Sequence, residues 1–218
     1  MRHKELLQLI AGGENLRCEF KLRFSTHEKF AREMIAFANT RGGYLIVGVD
    51  DDKNVVGVDS EKGEAGLIIE TAEKYCEPPV KYNIEYIELF GKEIVVAEIF
   101  ESAQKPHRLQ DYELNFDINK AQVFVRVNDK SMLASKEMIR ILRSATADQE
   151  LIKYSIGPNE KTIFEYLDKN ETITVKTLSH IANISERRAS RTLVKLVRAN
   201  VLLIHMKDNG EEYFTYAA

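Results

Sequence analysis

Residues 36–51 of the chain read AFANTRGGYLIVGVDD, and this stretch decides the class of fold. Gly42 and Gly43 end a helical apolar pattern that begins near Thr26. Tyr44–Val49 follows as a short, nearly continuous apolar run that is rich in β-branched residues, which is typical of a buried strand. The stretch therefore predicts a helix that leads directly into a central strand.

On both sides of this stretch, further helices and strands are predicted from the same patterns. Asp51–Asn54 suits a turn, so Val55–Val58 is predicted to return as a hairpin partner of the central strand. The other predicted elements are helices at Lys4–Ala11, Glu64–Tyr75 and Ser135–Arg143, and strands at Arg17–Leu22, Ile84–Leu89, Glu93–Phe100 and Gln122–Val127. This order predicts an α+β domain with a mixed sheet over residues 1–150, followed by a linker within residues 144–157.

Residues 151–218 have a different organisation, with short helices placed before a hairpin. Pro158 is suited to the start of a helix, and Leu178–Ala182 forms a second short helix. After a tight turn, Ser185 is a suitable cap for a third helix. A final hairpin is predicted from Val201–His205 and Glu212–Tyr216. Two helices joined by a tight turn and followed by a hairpin predict a winged helix-turn-helix domain.

The third of these helices has a basic side. At about 100° per residue, four basic residues fall in one narrow stripe and a fifth, Arg188, lies beside it. The stripe consists of Arg187, Arg191, Lys195 and Arg198. No acidic residue occurs between Arg187 and Arg198, so each cation could neutralise a phosphate of DNA, or of RNA. The alternatives are that the stripe is an ordinary solvated face, or that the domain serves only as a dimer contact.

The overall composition is that of an ordinary globular protein. Of the 218 residues, 44% are apolar and 30% are charged, and the net charge of −3 does not by itself mark a nucleic-acid binder. No apolar run reaches the roughly 18 residues of a membrane span, and no secretory signal is apparent, so a cytoplasmic protein without a membrane partner is expected. Cys18 and Cys76 have neither a disulfide framework nor metal-ligand spacing.

Several motifs of the N-terminal region occur in the order seen in one known family. They are Glu14–Lys21 (ENLRCEFK), Ala36–Asp51, Val56-Gly57, Lys105–His107 (KPH) and Phe124–Val127 (FVRV). In these motifs the region resembles the AlbA-type domain of the Schlafen family over roughly residues 5–143. The resemblance implies an AlbA-like fold, often joined in bacterial members to a winged helix and described as a DNA-binding regulator.

The resemblance also implies a second function, because animal Schlafens use related domains as a ribonuclease with three carboxylates. Glu14, Glu19 and Asp51 match those positions, and Lys21 could stabilise developing charge. Clustered carboxylates of this kind hold Mg²⁺ or Mn²⁺, which polarise a phosphodiester and activate water. The alternatives are an ion pair between Glu19 and Lys21 and a structural turn at Asp51. Similarly, Arg126 could contact phosphate or pair with an acid.

These observations predict a cytoplasmic DNA-binding regulator in which the N-terminal domain serves nucleic-acid contact or assembly. A homodimer is expected, because animal Schlafens close a groove from two such lobes and this chain has one. A nuclease that depends on a divalent metal is the alternative function, and a sensor of a small ligand is a third hypothesis. The target sequence and the preference for DNA or RNA cannot be read from these patterns.

Overall fold

The structure is a computed structural model that describes residues 1–112, 117, 120–146 and 156–217. It divides into two compact units, Met1–Ala134 and Ser135–Ala218. This division falls earlier in the chain than the domain boundary predicted near residue 150. The helix that follows Ser135, which was assigned by its sequence to the first domain, belongs to the second unit.

The first unit combines helices with short and long strands. Its described elements, in chain order, are α1 His3–Gly12, β1 Cys18–Lys21, α2 His27–Asn39, β2 Gly43–Val47, α3 Glu61–Glu70, a π-helical turn Thr71–Tyr75, β3 Cys76–Glu77, β4 Tyr82–Leu89, β5 Lys92–Ile99, β6 Arg108–Leu109, β7 Phe124–Val127 and β8 Lys130–Leu133. Local signals place most of these elements where the sequence predicts them. For example, the Thr26 hydroxyl accepts a hydrogen bond from the Lys29 amide and so caps α2.

The main sheet has the strand order β1-β2-β5-β4. Strands β1 and β2 are parallel, and Cys18 is opposite Tyr44. Strand β5 is antiparallel to both β2 and β4. The prediction of an α+β unit with a mixed sheet is therefore confirmed. Two further antiparallel pairs, β3 with β6 and β7 with β8, lie outside this sheet, and β8 was not predicted from the sequence.

The hairpin predicted between Val55–Val58 and the central strand is wrong. Only an isolated bridge joins Val49 to Val55, because β2 already has β1 on one side and β5 on the other. The strand ends at Gly48, whose φ of 106° belongs to a region that favours glycine. A Cβ at Gly48 would lie 2.8 Å from the Cδ1 atom of Ile94, so the chain also passes too closely here for a larger residue.

The main sheet has an apolar core on each face, as the alternation of side chains along a strand requires. On one face, Leu45 and Val95 pack in a buried cluster with residues of α2 and α3. On the other face, Ile46 and Val96 pack with Leu6 and other residues of α1. The sheet is therefore covered on both sides, which explains why Leu45–Val47 of β2 and Ile94–Ala97 of β5 are all apolar.

One buried amide ties the end of α2 to two distant segments. The Asn39 Nδ2 atom donates to the carbonyl oxygens of His107, at 2.8 Å, and Phe124, at 2.9 Å. The Asn39 Oδ1 atom accepts from the His107 amide at 2.7 Å. Asn39 thus satisfies backbone groups that no strand pairs, and it fixes β7 beside α2.

The second unit consists of four helices and one hairpin among its described residues. They are α4 Lys136–Thr146, α5 Pro158–Leu167, α6 Val175–Ile181, α7 Glu186–Arg198, β9 Leu202–Met206 and β10 Glu212–Tyr216. Strands β9 and β10 are antiparallel, and Ile173 adds a single bridge to Phe214. In the part of the chain that the structure describes, no helix is long and apolar enough to cross a membrane.

Candidate nucleic-acid interface and carboxylate cluster

Local hydrogen bonds set the position of α7 in the second unit. The Thr174 hydroxyl caps α6, and the Ser185 hydroxyl accepts from the Arg188 amide and caps α7. Between the two helices, Asn183 has a φ of 49°, and the Ser179 hydroxyl donates to the Ile184 carbonyl at 2.6 Å. The turn between the helices is therefore short and fixed by the sequence around it.

The structure places the predicted basic residues on the surface of α7. Arg187, Arg188, Arg191 and Arg198 are exposed, and Lys195 is half-buried. The opposite side of the helix is buried in the apolar core of the unit through Ala189, Leu193 and Leu196. Helix α7 is thus amphipathic in the way that the spacing predicts, with its cations and its core residues on different sides.

In the part of the chain that the structure describes, three of these cations have no competing partner. Within the described residues, the guanidinium groups of Arg187, Arg188 and Arg191 form no hydrogen bond or ion pair. Their charge is therefore not neutralised by a carboxylate of the described chain. An exposed guanidinium in this state can bind a phosphate oxygen without first breaking a salt bridge.

In the hairpin next to α7, by contrast, the cation is paired with a carboxylate. At its tip, Lys207 forms an ion pair with Glu211 at 2.7 Å, and its ammonium group lies 5.8 Å from the centre of the Tyr213 ring. The hydrogen bond and the charge of Lys207 lower the pKa of the Glu211 carboxyl. The single lysine of this tip is thus already paired, so the hairpin contributes less free positive charge than α7.

In the first unit, Glu19 and Lys21 lie on β1 and form an ion pair, as the alternative interpretation of the Glu-x-Lys pattern predicts. Glu19 is 7% exposed, and its second carboxylate oxygen accepts from Arg126 at 2.9 Å. Both oxygens of Glu19 are therefore bound to cations of the chain.

Arg126 is the centre of this cluster, and its side chain is completely buried. It donates to the carboxylates of Glu19 and Glu33, each at 2.9 Å, and to the carbonyl of Asn15 at 2.8 Å. Its guanidinium carbon also lies 4.8 Å from the centre of the Phe37 ring. The sequence allows Arg126 either to contact phosphate or to pair with an acid, and in the structure it pairs with acids.

Glu33 belongs to the cluster although no motif points to it. Burial and the charge of Glu19 raise its pKa, whereas a hydrogen bond from Ser131 and the charge of Arg126 lower it. A signal was available in the sequence, because Glu33 lies three residues after Phe30 and four before Phe37, on the apolar side of α2. An acid on an apolar helix face indicates a buried partner.

Glu14 and Asp51 lie near Glu19 but make different contacts. The Glu14 carboxylate accepts from the Phe20 amide at 2.9 Å. Burial raises the pKa of Glu14, and the negative charges of Glu19 and Asp51 raise it further. Asp51 is exposed in the turn after β2, where its neighbour Asp50 accepts two hydrogen bonds from Asn54. Glu14 is therefore repelled electrostatically by both of the other acids.

The three acids do not fit a metal cage in this arrangement. Among the described residues, no group of three histidines, cysteines, aspartates or glutamates is disposed to hold a metal ion. Glu19 would have to release Lys21 or Arg126 before it could coordinate a divalent cation. The metal-binding roles of Glu14, Glu19 and Asp51, and the catalytic role of Lys21, stay predictions.

The first unit is thus an α+β domain in which a buried arginine joins the strand β1, the helix α2 and the strand β7. The family described as "Schlafen, AlbA_2" matches residues 14–135, which is more than half of the chain. The chain belongs to this family. Among curated proteins, none matches the chain.

Two solved structures are similar to the chain at low sequence identity. One is the N-terminal domain of a protein from Nitrosomonas europaea whose name relates it to the ATP-dependent DNA helicase RecG. It is 19% identical to this chain, with a TM-score of 0.45. The match covers 72% of this chain and all of that domain. The other is a protein of Corynebacterium diphtheriae, 12% identical with a TM-score of 0.47. That match covers 98% of this chain but only 38% of the other protein.

Proposed function

We propose that the protein binds DNA through its second unit and acts in the cytoplasm as a transcriptional regulator. The observation that carries this proposal is the exposed basic side of α7, on which Arg187, Arg188 and Arg191 have no partner within the described chain. Such a row of free cations binds the phosphate backbone and releases counterions. The membership of the first unit in the Schlafen, AlbA_2 family supports a role with nucleic acid.

The order of elements in the second unit supports a winged helix-turn-helix. In that motif, the second helix of the pair enters the major groove, and α7 has the corresponding position after α6 and the tight turn. The hairpin of β9 and β10 corresponds to the wing. The first turn of α7 holds Arg187 and Arg188 beside Glu186, so two cations lie at the end of the helix that contacts base edges in such proteins.

A homodimer would give this module two copies of its recognition helix. Dimeric helix-turn-helix proteins read two half-sites about one helical turn of DNA apart. The working form is therefore proposed to be a dimer on duplex DNA, with the first unit available for assembly or further nucleic-acid contact. Light scattering tests the dimer, and a particle of 25.0 kDa would contradict it.

The experiment for the main proposal measures duplex binding as a function of salt concentration. In the full chain, Arg187→Ala combined with Arg191→Ala should weaken binding and lower the slope of log affinity against log salt by about two. The matched control is Lys161→Ala combined with Lys169→Ala, which removes two exposed lysines outside the basic side of α7. An unchanged slope in the α7 variant, with a folded protein, would contradict the proposal.

A metal-dependent nuclease is the second candidate, supported by the electrostatic repulsion of Glu14 by Glu19 and Asp51. Labelled DNA and RNA should then be cleaved with Mn²⁺ but not with EDTA, and Mn²⁺ should raise the melting temperature. Asp51→Asn is the suitable variant, because Asp51 is exposed, whereas a change of Glu19 would also break the ion pair with Arg126. A melting temperature that does not respond to Mn²⁺ would remove this candidate.

A further inference from the structure

Helix α4 carries a second row of cations that the three-helix module does not include. Lys136, Arg140 and Arg143 are spaced by four and three residues, so they share one side of the helix. Lys136 and Arg143 are exposed, and Arg140 is half-buried. These three residues are called the α4 stripe, and Arg187, Arg191, Lys195 and Arg198 the α7 stripe.

A buried hydroxyl of α7 connects α7 to α4. The Ser190 Oγ atom accepts a hydrogen bond from the Nη1 atom of Arg140 at 2.8 Å. The same hydroxyl donates to the Glu137 carboxylate at 2.5 Å. Ser190 itself is 3% exposed, whereas its two partners on α4 are partly open to solvent, and the two hydrogen bonds hold both partners against α7.

This contact fixes where the α4 stripe lies relative to the α7 stripe. Ser190 is three residues after Arg187, and residues at this spacing are neighbours on a helix surface. Arg140, the middle member of the α4 stripe, therefore lies against the flank of the α7 stripe, about one helical turn from Arg187. The one acid in this contact, Glu137, is already engaged by Ser190 and Arg140. The two rows of cations are thus adjacent.

We propose that the α4 and α7 stripes together form one surface for the backbone of duplex DNA. The inference rests on the proposed function and extends its footprint beyond the three-helix module. A duplex fits better than an anionic membrane, because none of the large apolar side chains described on these two helices is exposed, and membrane-surface helices need such side chains. Phosphate contacts are independent of sequence, so α4 adds affinity and not base recognition.

The test removes charge from α4 without touching the contact with α7. In the full chain, Lys136→Gln combined with Arg143→Gln leaves Arg140, Ser190 and Glu137 unchanged. On a mixed-sequence duplex, this variant should lower the slope of log affinity against log salt by about two. Lys161→Gln combined with Lys169→Gln is the matched control, and its slope should equal that of the unaltered protein.

A second variant tests the alignment of the two rows. Ser190→Ala removes the connecting hydroxyl but none of the cations. Because the variant removes both hydrogen bonds between Ser190 and α4, DNA affinity should fall by about two- to tenfold if the alignment of the two rows contributes to binding. Thermal unfolding verifies that each variant is folded. Binding of Ser190→Ala at the original affinity would overturn the alignment that the inference requires.

The outcomes separate this inference from the proposed function. If the change of Arg187 and Arg191 weakens binding while the α4 variant keeps the original affinity and slope, the α4 surface is overturned and the proposed function stands. If the unaltered protein does not bind duplex DNA, both fail. If the α4 variant loses binding only to single-stranded RNA or to vesicles of anionic lipid, duplex DNA is the wrong partner for this surface.

Discussion

Arg126 in the first unit and Arg187 in the second carry the same guanidinium group in opposite surroundings. Arg126 is completely buried and donates to two carboxylates, whereas Arg187 is exposed and has no partner among the described residues. The local sequence distinguishes them, since Arg126 lies in an apolar strand and Arg187 on the polar side of a helix. A basic residue therefore points to nucleic acid only where the fold leaves its charge unpaired.

The largest expected effect is on stability, and it tests the buried side of this comparison. Arg126→Met should lower the free energy of unfolding by about 3–5 kcal/mol, because Glu33 would lose its ion pair and the buried Glu19 would keep only Lys21. The same change at Arg187 and Arg191 should alter it by no more than about 0.5 kcal/mol. Urea unfolding measures both. Similar losses of stability in the Arg126 variant and in the Arg187 and Arg191 variant would contradict the difference between buried and exposed arginines.

The half-buried acid Glu212, which forms no ion pair among the described residues, gives the next effect. Burial raises the pKa of Glu212 to about 7, with repulsion from Glu137 adding to the rise and a hydrogen bond from Ser135 opposing it. The folded state then holds a proton that the unfolded state releases near 4.5, so the free energy of unfolding falls as pH rises between about 4.5 and about 7.

Glu212→Gln should remove this dependence. Between about pH 5 and about pH 8, the unaltered protein should lose roughly 1–3 kcal/mol more stability than the variant. Urea unfolding at the two pH values gives the difference. Equal losses in the two proteins would show that Glu212 titrates normally, and that a lone carboxylate at this position is tolerated without a cation.

The smallest expected effect concerns the exposed side of the comparison. Ser185→Ala removes the cap of α7 and should cost about 1 kcal/mol of stability. Duplex affinity should also fall, because Arg187 and Arg188 lie in the turn that the cap orders. Ser185→Asp, which can cap the helix, should restore both properties. If Ser185→Asp were as weak as Ser185→Ala, the cap would not be the cause.

Features fixed by neighbouring residues could be predicted from the sequence, and features fixed across the chain could not. The cap at Ser185 and the strands β4 and β5 depend on residues a few positions apart, and they are present as predicted. The hairpin at Val55–Val58 failed because β5, far along the sequence, takes the open edge of β2. The inclusion of α4 in the second unit likewise depends on a contact between Glu137 and Ser190.

The candidate sites divide in the same way. The positions of the α7 cations follow from helical periodicity alone, and the structure places them on the surface. The acids Glu14 and Glu19 could be singled out by their motif, but their surroundings could not. Arg126, which holds Glu19, is separated from it by 107 positions. A pattern read within a window of residues contains no information on such a partner.

The buried amide of Asn39 has a consequence for natural variation at this position. Aspartate has nearly the same shape and is one base change away, yet it would replace the two N–H donors toward His107 and Phe124 by lone pairs. Two carbonyl oxygens would then face a carboxylate in a dry interior. Asn39→Asp therefore hardly changes the size of the side chain but should strongly destabilise the fold. Spontaneous deamidation of Asn39 would have the same effect.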